Sequence, residues 1–347
     1  MKKILIPLVV STGLVISPLT RAESTQRWTL DASIQRALEV APEMKTADAE
    51  IGKQRGKLEQ AGAWPNPSVE LQMDDSLGLE DAAGGYDVTR MAISQPLPFG
   101  RLDHQRKQAG AALASSEAQR QHQQLLLEYR VAQRFHALQL AKARLQLAKQ
   151  RLQQASRYHD SDHRGSGKDP LIRYLTPLEG MRLDIVHQAA EQAVEVAEGE
   201  FNEVAASFNA LLGISIENSI SLIPLTAVPD PEGLNVLENR LQAHPALETT
   251  RQDIASSQAG IDVAKSQRFA DPTLTLFRGE EFIGGRRQES TGVMLSIQVP
   301  LWNQNKGAVS QARFLVHQAQ AEMDIKQREL RTNLRKSYLH LGHLIEQ

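Results

Sequence analysis

Apolar residues recur through residues 101–212 in steps of three, four and seven. One series is Leu127, Val131, Phe135, Leu138, Leu145 and Leu152; a second is Leu183, Val186, Ala190, Val194, Ala197, Phe201, Val204, Phe208 and Leu211. Such steps lay a narrow seam along a helix, the pattern of a coiled coil rather than the wide face of a globular helix. No glycine lies between Gly110 and Gly165 and no proline between Pro98 and Pro170, so nothing punctuates the first series. A helix over 101–156 would run roughly 84 Å, longer than an ordinary globular core. The polar, glycine-containing stretch 158–167 then turns the chain. At Thr176-Pro177-Leu178-Glu179 a helix restarts. Threonine caps the free amides, proline suits the first helical position, and glutamate three residues on reaches back. The pattern predicts two long helices folded against each other.

Elsewhere the period is two. Val69, Leu71 and Met73 oppose Ser68, Glu70 and Gln72, while Val293, Leu295, Ile297 and Val299 oppose Gly292, Met294, Ser296 and Gln298. That alternation predicts strands with one apolar face. The strands come in pairs, 68–73 with 88–97 and 273–278 with 292–299, joined by polar, glycine-rich links at 74–85 and 279–289. A repeat organises them. Leu38-Glu39-Val40-Ala41-Pro42 returns as Leu241-Gln242-Ala243-His244-Pro245, and Ala63-Trp64-Pro65-Asn66-Pro67 as Arg268-Phe269-Ala270-Asp271-Pro272. Each strand pair closes on a proline-aromatic turn, Leu97-Pro98-Phe99-Gly100-Arg101 or Val299-Pro300-Leu301-Trp302-Asn303, and a long helix follows. The unit is short helix, helix, strand pair, long helix, used twice. The expected organisation is 1–22 signal, 23–212 first repeat, 213–233 linker and 234–347 second repeat, in a mostly α chain with a small β part.

The strand pairs fit either a soluble hairpin on a domain core or membrane strands with lipid on one face and water on the other. Aromatic residues are only 5% of the chain, yet Trp64, Phe99, Phe269 and Trp302 stand at the helix–strand junctions. A membrane interface collects such residues, and the polar links suit outer loops, so the membrane reading is favoured. Four strands cannot close a barrel, which needs about eight, and an open edge cannot face lipid. Several copies must therefore pool their strands.

The N-terminus narrows the compartment. Met1-Lys2-Lys3, an apolar run over 4–16 and Thr20-Arg21-Ala22 read as a secretory signal cleaved after Ala22. The absence of cysteine excludes disulfides, thiolate metal sites and a lipidated cysteine. Together these point to the periplasm or outer membrane. A net charge of −2 argues against nucleic acid as a partner. No phosphate loop, nucleophile motif or convincing carboxylate pair is present, so neither an enzyme nor a cofactor is expected.

These residues resemble a family. The signal, the repeat, Ala63-Trp64-Pro65-Asn66-Pro67, Gln95-Pro96-Leu97-Pro98-Phe99-Gly100-Arg101, Thr176-Pro177-Leu178-Glu179 and Pro300-Leu301-Trp302-Asn303-Gln304-Asn305-Lys306-Gly307 are similar to the TolC-like outer-membrane efflux proteins. The Trp-Pro-Asn-Pro and Trp-Asn-x-Asn-x-Gly stretches are most similar to the heavy-metal, CzcC-like branch. The likeness covers residues 28–347. It implies a homotrimer whose pooled strands form a twelve-stranded outer-membrane barrel in lipid and whose helices form a periplasmic tunnel. The tunnel docks with a periplasmic adaptor and an inner-membrane pump, so the chain would be a passive exit duct, here for heavy-metal cations. One departure stands out. From Phe99 the first repeat continues for 113 residues and two arms, whereas from Trp302 the second continues for 45 and one arm. About 68 residues of a returning helix are expected to be missing, and no gate residue transfers. The other readings are a soluble periplasmic coiled-coil binding or adaptor-like protein, or a non-functional truncated channel fragment.

His159, Asp160, Asp162 and His163 have a spacing that could hold a divalent metal if helical, since positions four apart share a face. In a glycine-flanked turn they are expected to form a solvated, adaptor-facing tip, and no metal site is assigned. The final helix carries Leu330, Leu334, Tyr338, Leu341 and Ile345, a seam that asks for a partner.

Overall fold

The computed structural model describes residues 27–74, 88–163, 176–215, 221–224, 230–283 and 286–346. The signal segment, the link at 75–87 and residues 164–175 lie outside them. The chain divides into two compact units. One comprises Met1–Ser33, Arg134–Ala210 and Ile214–Leu225; the other comprises Ile34–Gln133, Leu211–Gly213 and Thr226–Gln347.

The larger unit holds a four-stranded sheet. Its strands are β2 (Ser68–Asp74), β3 (Val88–Pro96), β5 (Thr273–Ile283) and β6 (Arg286–Ser296), all antiparallel to their neighbours in the order β2-β3-β5-β6. The repeat is written into this sheet. Helices α1 (Leu30–Val40) and α2 (Pro42–Ala61) lead into β2–β3, as α5 (Leu234–Leu241) and α6 (Pro245–Ser266) lead into β5–β6. Each second helix begins on its proline, whose missing N–H is no loss at that position. A long helix leaves each pair, α3 (Arg101–His163) and α7 (Lys306–Glu346). Both exits use the same device. The Phe99 amide donates to the Leu97 carbonyl and the Leu301 amide to the Val299 carbonyl, each at 2.9 Å around a central proline, a three-residue turn. Gly100 then takes φ +72°, and Asn305, just before α7, takes φ 55°, the left-handed region that glycine and asparagine tolerate.

The smaller unit pairs the far part of α3 with α4 (Pro177–Leu212) and adds a two-stranded parallel sheet, β1 (Arg27–Trp28) with β4 (Ser221–Leu222). Phe135, Leu138 and Phe208 are fully buried, the two phenylalanine rings 6.0 Å apart. Arg144 meets Glu200 and Lys149 meets Glu198, each at 2.7 Å. These exposed pairs add register more than stability. Gln139 is buried and donates from Nε2 to the Ile223 carbonyl at 3.0 Å and the Pro224 carbonyl at 3.3 Å, pinning the segment after β4.

Several expectations change in detail. The first long helix does not stop near Ser156 but continues through His159, Asp160 and Asp162 to His163, because no glycine interrupts before Gly165. The stretch 279–289 is not mainly loop: β5 and β6 extend through it to Ile283 and from Arg286. Glu280 and Glu289 sit directly opposite, a costly like-charge pair. Diagonal arginines offset it, Arg278 at 2.7 Å from Glu289 and Arg287 at 3.9 Å from Glu280. Along α4 the seam slips at one turn, where Val186 is exposed and the half-buried His187 takes its place, 3.1 Å from the Ser156 hydroxyl.

The predicted cap of α4 is formed. The Thr176 amide donates to Glu179 Oε2 at 2.6 Å, and the Glu179 amide donates to Thr176 Oγ1 at 3.4 Å. The Thr176 amide, and after it the Thr176 hydroxyl, holds the Glu179 carboxyl below its ordinary 4.5. A depressed carboxylate stabilises above its unfolded value, and that stabilisation fades as pH falls through the lowered value. Glu179→Ala is expected to speed amide exchange in the first turn of α4 at neutral pH and to abolish this acid dependence. Unchanged exchange in the variant would show that the box contributes nothing.

Candidate membrane sheet and its helix junctions

Pairing register assigns every strand residue to a face. One row across the sheet is Val69, Ile93, Leu276 and Val293; the next is Leu71, Met91, Arg278 and Thr291. Val69, Leu71, Met73, Met91, Ile93, Leu276, Val293 and Leu295 all lie on this face and all are exposed. Ile297 and Val299 continue it, also exposed, beyond the end of β6. Water does not stabilise so continuous an apolar surface; patches of this kind mark protein or membrane contact. The apolar band is bounded toward the β5–β6 turn by the Arg278–Glu289 pair.

The opposite face is polar. Its rows are Ser68, Ser94, Thr275 and Met294; Glu70, Ala92, Phe277 and Gly292; and Gln72, Arg90, Gly279 and Ser290. Ser94 and Thr275 share a hydroxyl hydrogen bond of 2.8 Å across the seam between the two repeats. Phe277 lies over Gly292: a Cβ there would stand 2.5 Å from the ring's Cζ, so only glycine admits it. Arg90 lies over the ring, its Cζ 4.2 Å from the centroid, a cation–π contact. The alternation of residues 88–97 carries no visible sign of this stack, which is a cross-strand and diagonal arrangement.

All four junction aromatics stand at one end of the sheet. Ser68 pairs with Ser94, Pro96 with Thr273, and Thr273 with Ser296, so the four strand ends nearest the helices coincide. Trp64 precedes β2, Phe99 follows β3, Phe269 precedes β5 and Trp302 follows β6. Each is exposed, Trp302 to 94%. A bare indole of that size in water costs on the order of 2 kcal/mol or more relative to burial. At this end of the sheet the chain is tied both within and across the repeats. Gln95 Nε2 donates to the Pro65 carbonyl at 2.9 Å, the Leu97 amide to the Pro272 carbonyl at 2.7 Å, and Arg101 pairs with Asp271. Asn303 Oδ1 accepts the Asn305 amide at 3.0 Å, and Asn305 Nδ2 donates to the Ala264 carbonyl at 2.7 Å. The Trp-Asn-x-Asn-x-Gly stretch is thus a brace between α6 and α7.

The other sequence candidates fall elsewhere. His159, Asp160, Asp162 and His163 occupy the last turns of α3, where only the backbone is described. Among the described residues no group of three His, Cys, Asp or Glu is arranged to hold a metal ion. No described helix is long and apolar enough to cross a membrane, which leaves the strands untouched. Of the α7 seam, Leu330, Leu334, Tyr338 and Leu341 are half-buried and Ile345 is exposed. The seam that asks for a partner is thus covered in part within this chain. α7 runs against α6 and α5, and Arg335 clasps Glu238 of α5 at 2.7 Å.

Residues 33–168 match the Outer membrane efflux protein family. Over 337 residues the chain is 22% identical to the Cobalt-zinc-cadmium resistance protein CzcC of Cupriavidus metallidurans, covering 93% of this chain and 75% of that one. Among solved structures it is similar to CusC, with a TM-score of 0.71 at 18% identity over 91% of this chain and 76% of that one. It is also similar to the outer membrane protein VceC from Vibrio cholerae, with a TM-score of 0.64 at 16% identity over 86% and 75%. Residues 33–168 thus carry the match to the Outer membrane efflux protein family, and the chain, mostly helical with one four-stranded sheet, has the fold of CusC.

Proposed function

We propose that this protein is the outer-membrane exit duct of a tripartite efflux system that exports heavy-metal cations. One observation carries the reading: a four-stranded sheet with one exposed apolar face, one polar face and four exposed junction aromatics at its helical end. Lipid would take the apolar face, water the polar face, and the aromatics the inner interface. The strands alternate in direction and number four, so β6 of one copy can pair antiparallel with β2 of the next without breaking the alternation. Three copies would give twelve strands with no edge left open. The helices would stand in the periplasm, where a periplasmic adaptor links the duct to an inner-membrane pump. Family and fold are those of channel proteins rather than enzymes.

The finer assignments rest on the same frame. Residues 23–212 and 234–347 read as two copies of one unit joined by 213–233, supported by the matched three-residue turns at Pro98 and Pro300. His159, Asp160, Asp162 and His163 belong to the adaptor-facing end of the hairpin. The metal cargo follows from the likeness to a cobalt, zinc and cadmium resistance protein.

The test is complementation. Cells that carry the cognate adaptor and pump but lack their outer-membrane component are expected to regain zinc, cobalt or cadmium resistance when this chain is supplied, with the protein in the detergent-extracted outer-membrane fraction. The double variant His159→Ala, His163→Ala is expected to restore resistance equally. Recovery of the wild-type chain in a salt-washed soluble periplasmic fraction would overturn the duct. A large loss of resistance in the double variant at normal protein level would make the hairpin end a metal site instead.

A further inference from the structure

Within the sheet-bearing unit, two imidazoles meet where α3, α7 and the start of α6 converge. His122 of α3 and His244, the residue before α6, stand edge to face, ring centroids 5.5 Å apart and planes inclined by 65°. His244 is the N-cap of α6: its backbone is extended, with φ −67° and ψ 131°, and its Nδ1 accepts the Ala246 amide at 3.2 Å. The corresponding residue of the first repeat, Ala41, has no side-chain cap. The two joints are therefore chemically different although the chain passes through both alike.

An Nδ1 that accepts a hydrogen bond is unprotonated, so the cap exists only with the neutral ring that carries its proton on Nε2. A proton at Nδ1 would turn the acceptor into a donor facing another donor. It would also place a cation at the positive end of the helix dipole. The surroundings oppose that charge further. His122 Nδ1 is buried with no hydrogen-bond partner among the described residues. Lys326 of α7 acts on both rings as a positive charge, its Nζ held 3.1 Å from Glu329. The neighbouring carboxylates are engaged elsewhere. Glu248 of α6 binds Arg251 at 3.0 Å, and Arg251 also donates to the Gln242 carbonyl at 2.8 Å. On α5, Glu238 takes Arg335 at 2.7 Å, and Arg240 takes Glu232 at 2.9 Å.

We infer that His244 is an acid-released latch on the α5–α6 joint. The neutral ring caps α6 and fixes the turn at 242–245. The protonated ring gives up the cap and leaves His122, His244 and Lys326 as three mutually repelling cationic groups. The inference goes beyond the duct reading and does not depend on it.

The direction in pH follows from the sign of the shifts. Burial first, and Lys326 second, hold His244 below its ordinary 6.5; burial, then His244, then Lys326 do the same for His122. A histidine whose folded value is depressed leaves stability intact above 6.5. Stability declines as pH falls below that, and the decline levels off under the lowered values.

Amide exchange in the full chain in detergent reads the latch directly. Between about pH 7.5 and about pH 5, corrected for intrinsic exchange, protection of the Ala246, Leu247 and Glu248 amides is expected to fall about five- to thirty-fold, the scale of a lost cap. His244→Asn, which caps without titrating, is expected to hold protection flat over that range. Lys326→Gln, which removes the repelling cation, is expected to move the drop to higher pH. A flat wild type, or a His244→Asn variant that loses protection as wild type does, overturns the latch. If His244→Asn does not fold, an unmoved midpoint in Lys326→Gln overturns it instead.

Discussion

Val293→Arg is expected to remove the protein from the outer membrane. Val293 sits on the exposed apolar face in one row with Val69, Ile93 and Leu276, well inside the band closed off by Arg278 and Glu289. An arginine on the lipid face near the middle of a bilayer costs about 2–4 kcal/mol, and an assembly of identical chains carries that cost once per copy. Leu276→Arg, its direct neighbour on β5, is expected to act alike. Gln72→Arg is the matched control, since Gln72 is an exposed residue on the polar face of β2. Quantifying each variant in outer-membrane and soluble fractions separates the faces. Equal membrane yield for Val293→Arg and Gln72→Arg would mean that the apolar face does not meet lipid.

Phe208→Ala is expected to loosen the α3–α4 pairing more than any surface change on those helices. Phe208 is fully buried and meets the fully buried Phe135 at a ring distance of 6.0 Å. Truncating a buried phenylalanine typically costs about 3–5 kcal/mol, part of it the lost transfer of the ring and part the cavity left behind. Val186→Ala truncates a side chain that is already more than half exposed and is expected to cost little. Amide exchange over 134–157 and 177–210, read against the sheet as internal reference, measures the difference. Protection of α4 that survives Phe208→Ala unchanged would show that the ring is not what holds the pair.

The largest features were legible in the chain because they are periodic. Apolar steps of three and four along Leu127, Val131, Phe135 and Leu138 fall on buried positions, and the Thr176-Pro177-Leu178-Glu179 signature forms its reciprocal cap. Both are local: a helix seam and a capping box involve residues within a turn or two, so the sequence carries the whole specification. Internal repetition was equally readable, and the twin turns at Pro98 and Pro300 give it atomic form. The apolar and polar faces of the strands followed from period two alone. The junction aromatics followed from their place between helix and strand.

Other features were decided only where distant segments met. Nothing local announces that β3 pairs with β5 and so joins the two repeats, or that Arg27–Trp28 finds Ser221–Leu222 in a segment expected to be linker. Strand partnership depends on backbone hydrogen bonds that every residue but proline can offer, and so leaves little trace in composition. The Phe277 ring over Gly292, Arg90 on that ring, and Asp271 on Arg101 are likewise products of register. The α4 seam shows the division within one helix. Periodicity places Val186 on the seam, but the hydroxyl of Ser156 across the pair favours the polar ring of His187 instead. Sequence alone set the elements, their repeat and their two-faced character, since these depend on neighbours along the chain. Tertiary structure chose the partners, since a hydrogen bond or an ion pair between residues far apart exists only once the fold has brought them together.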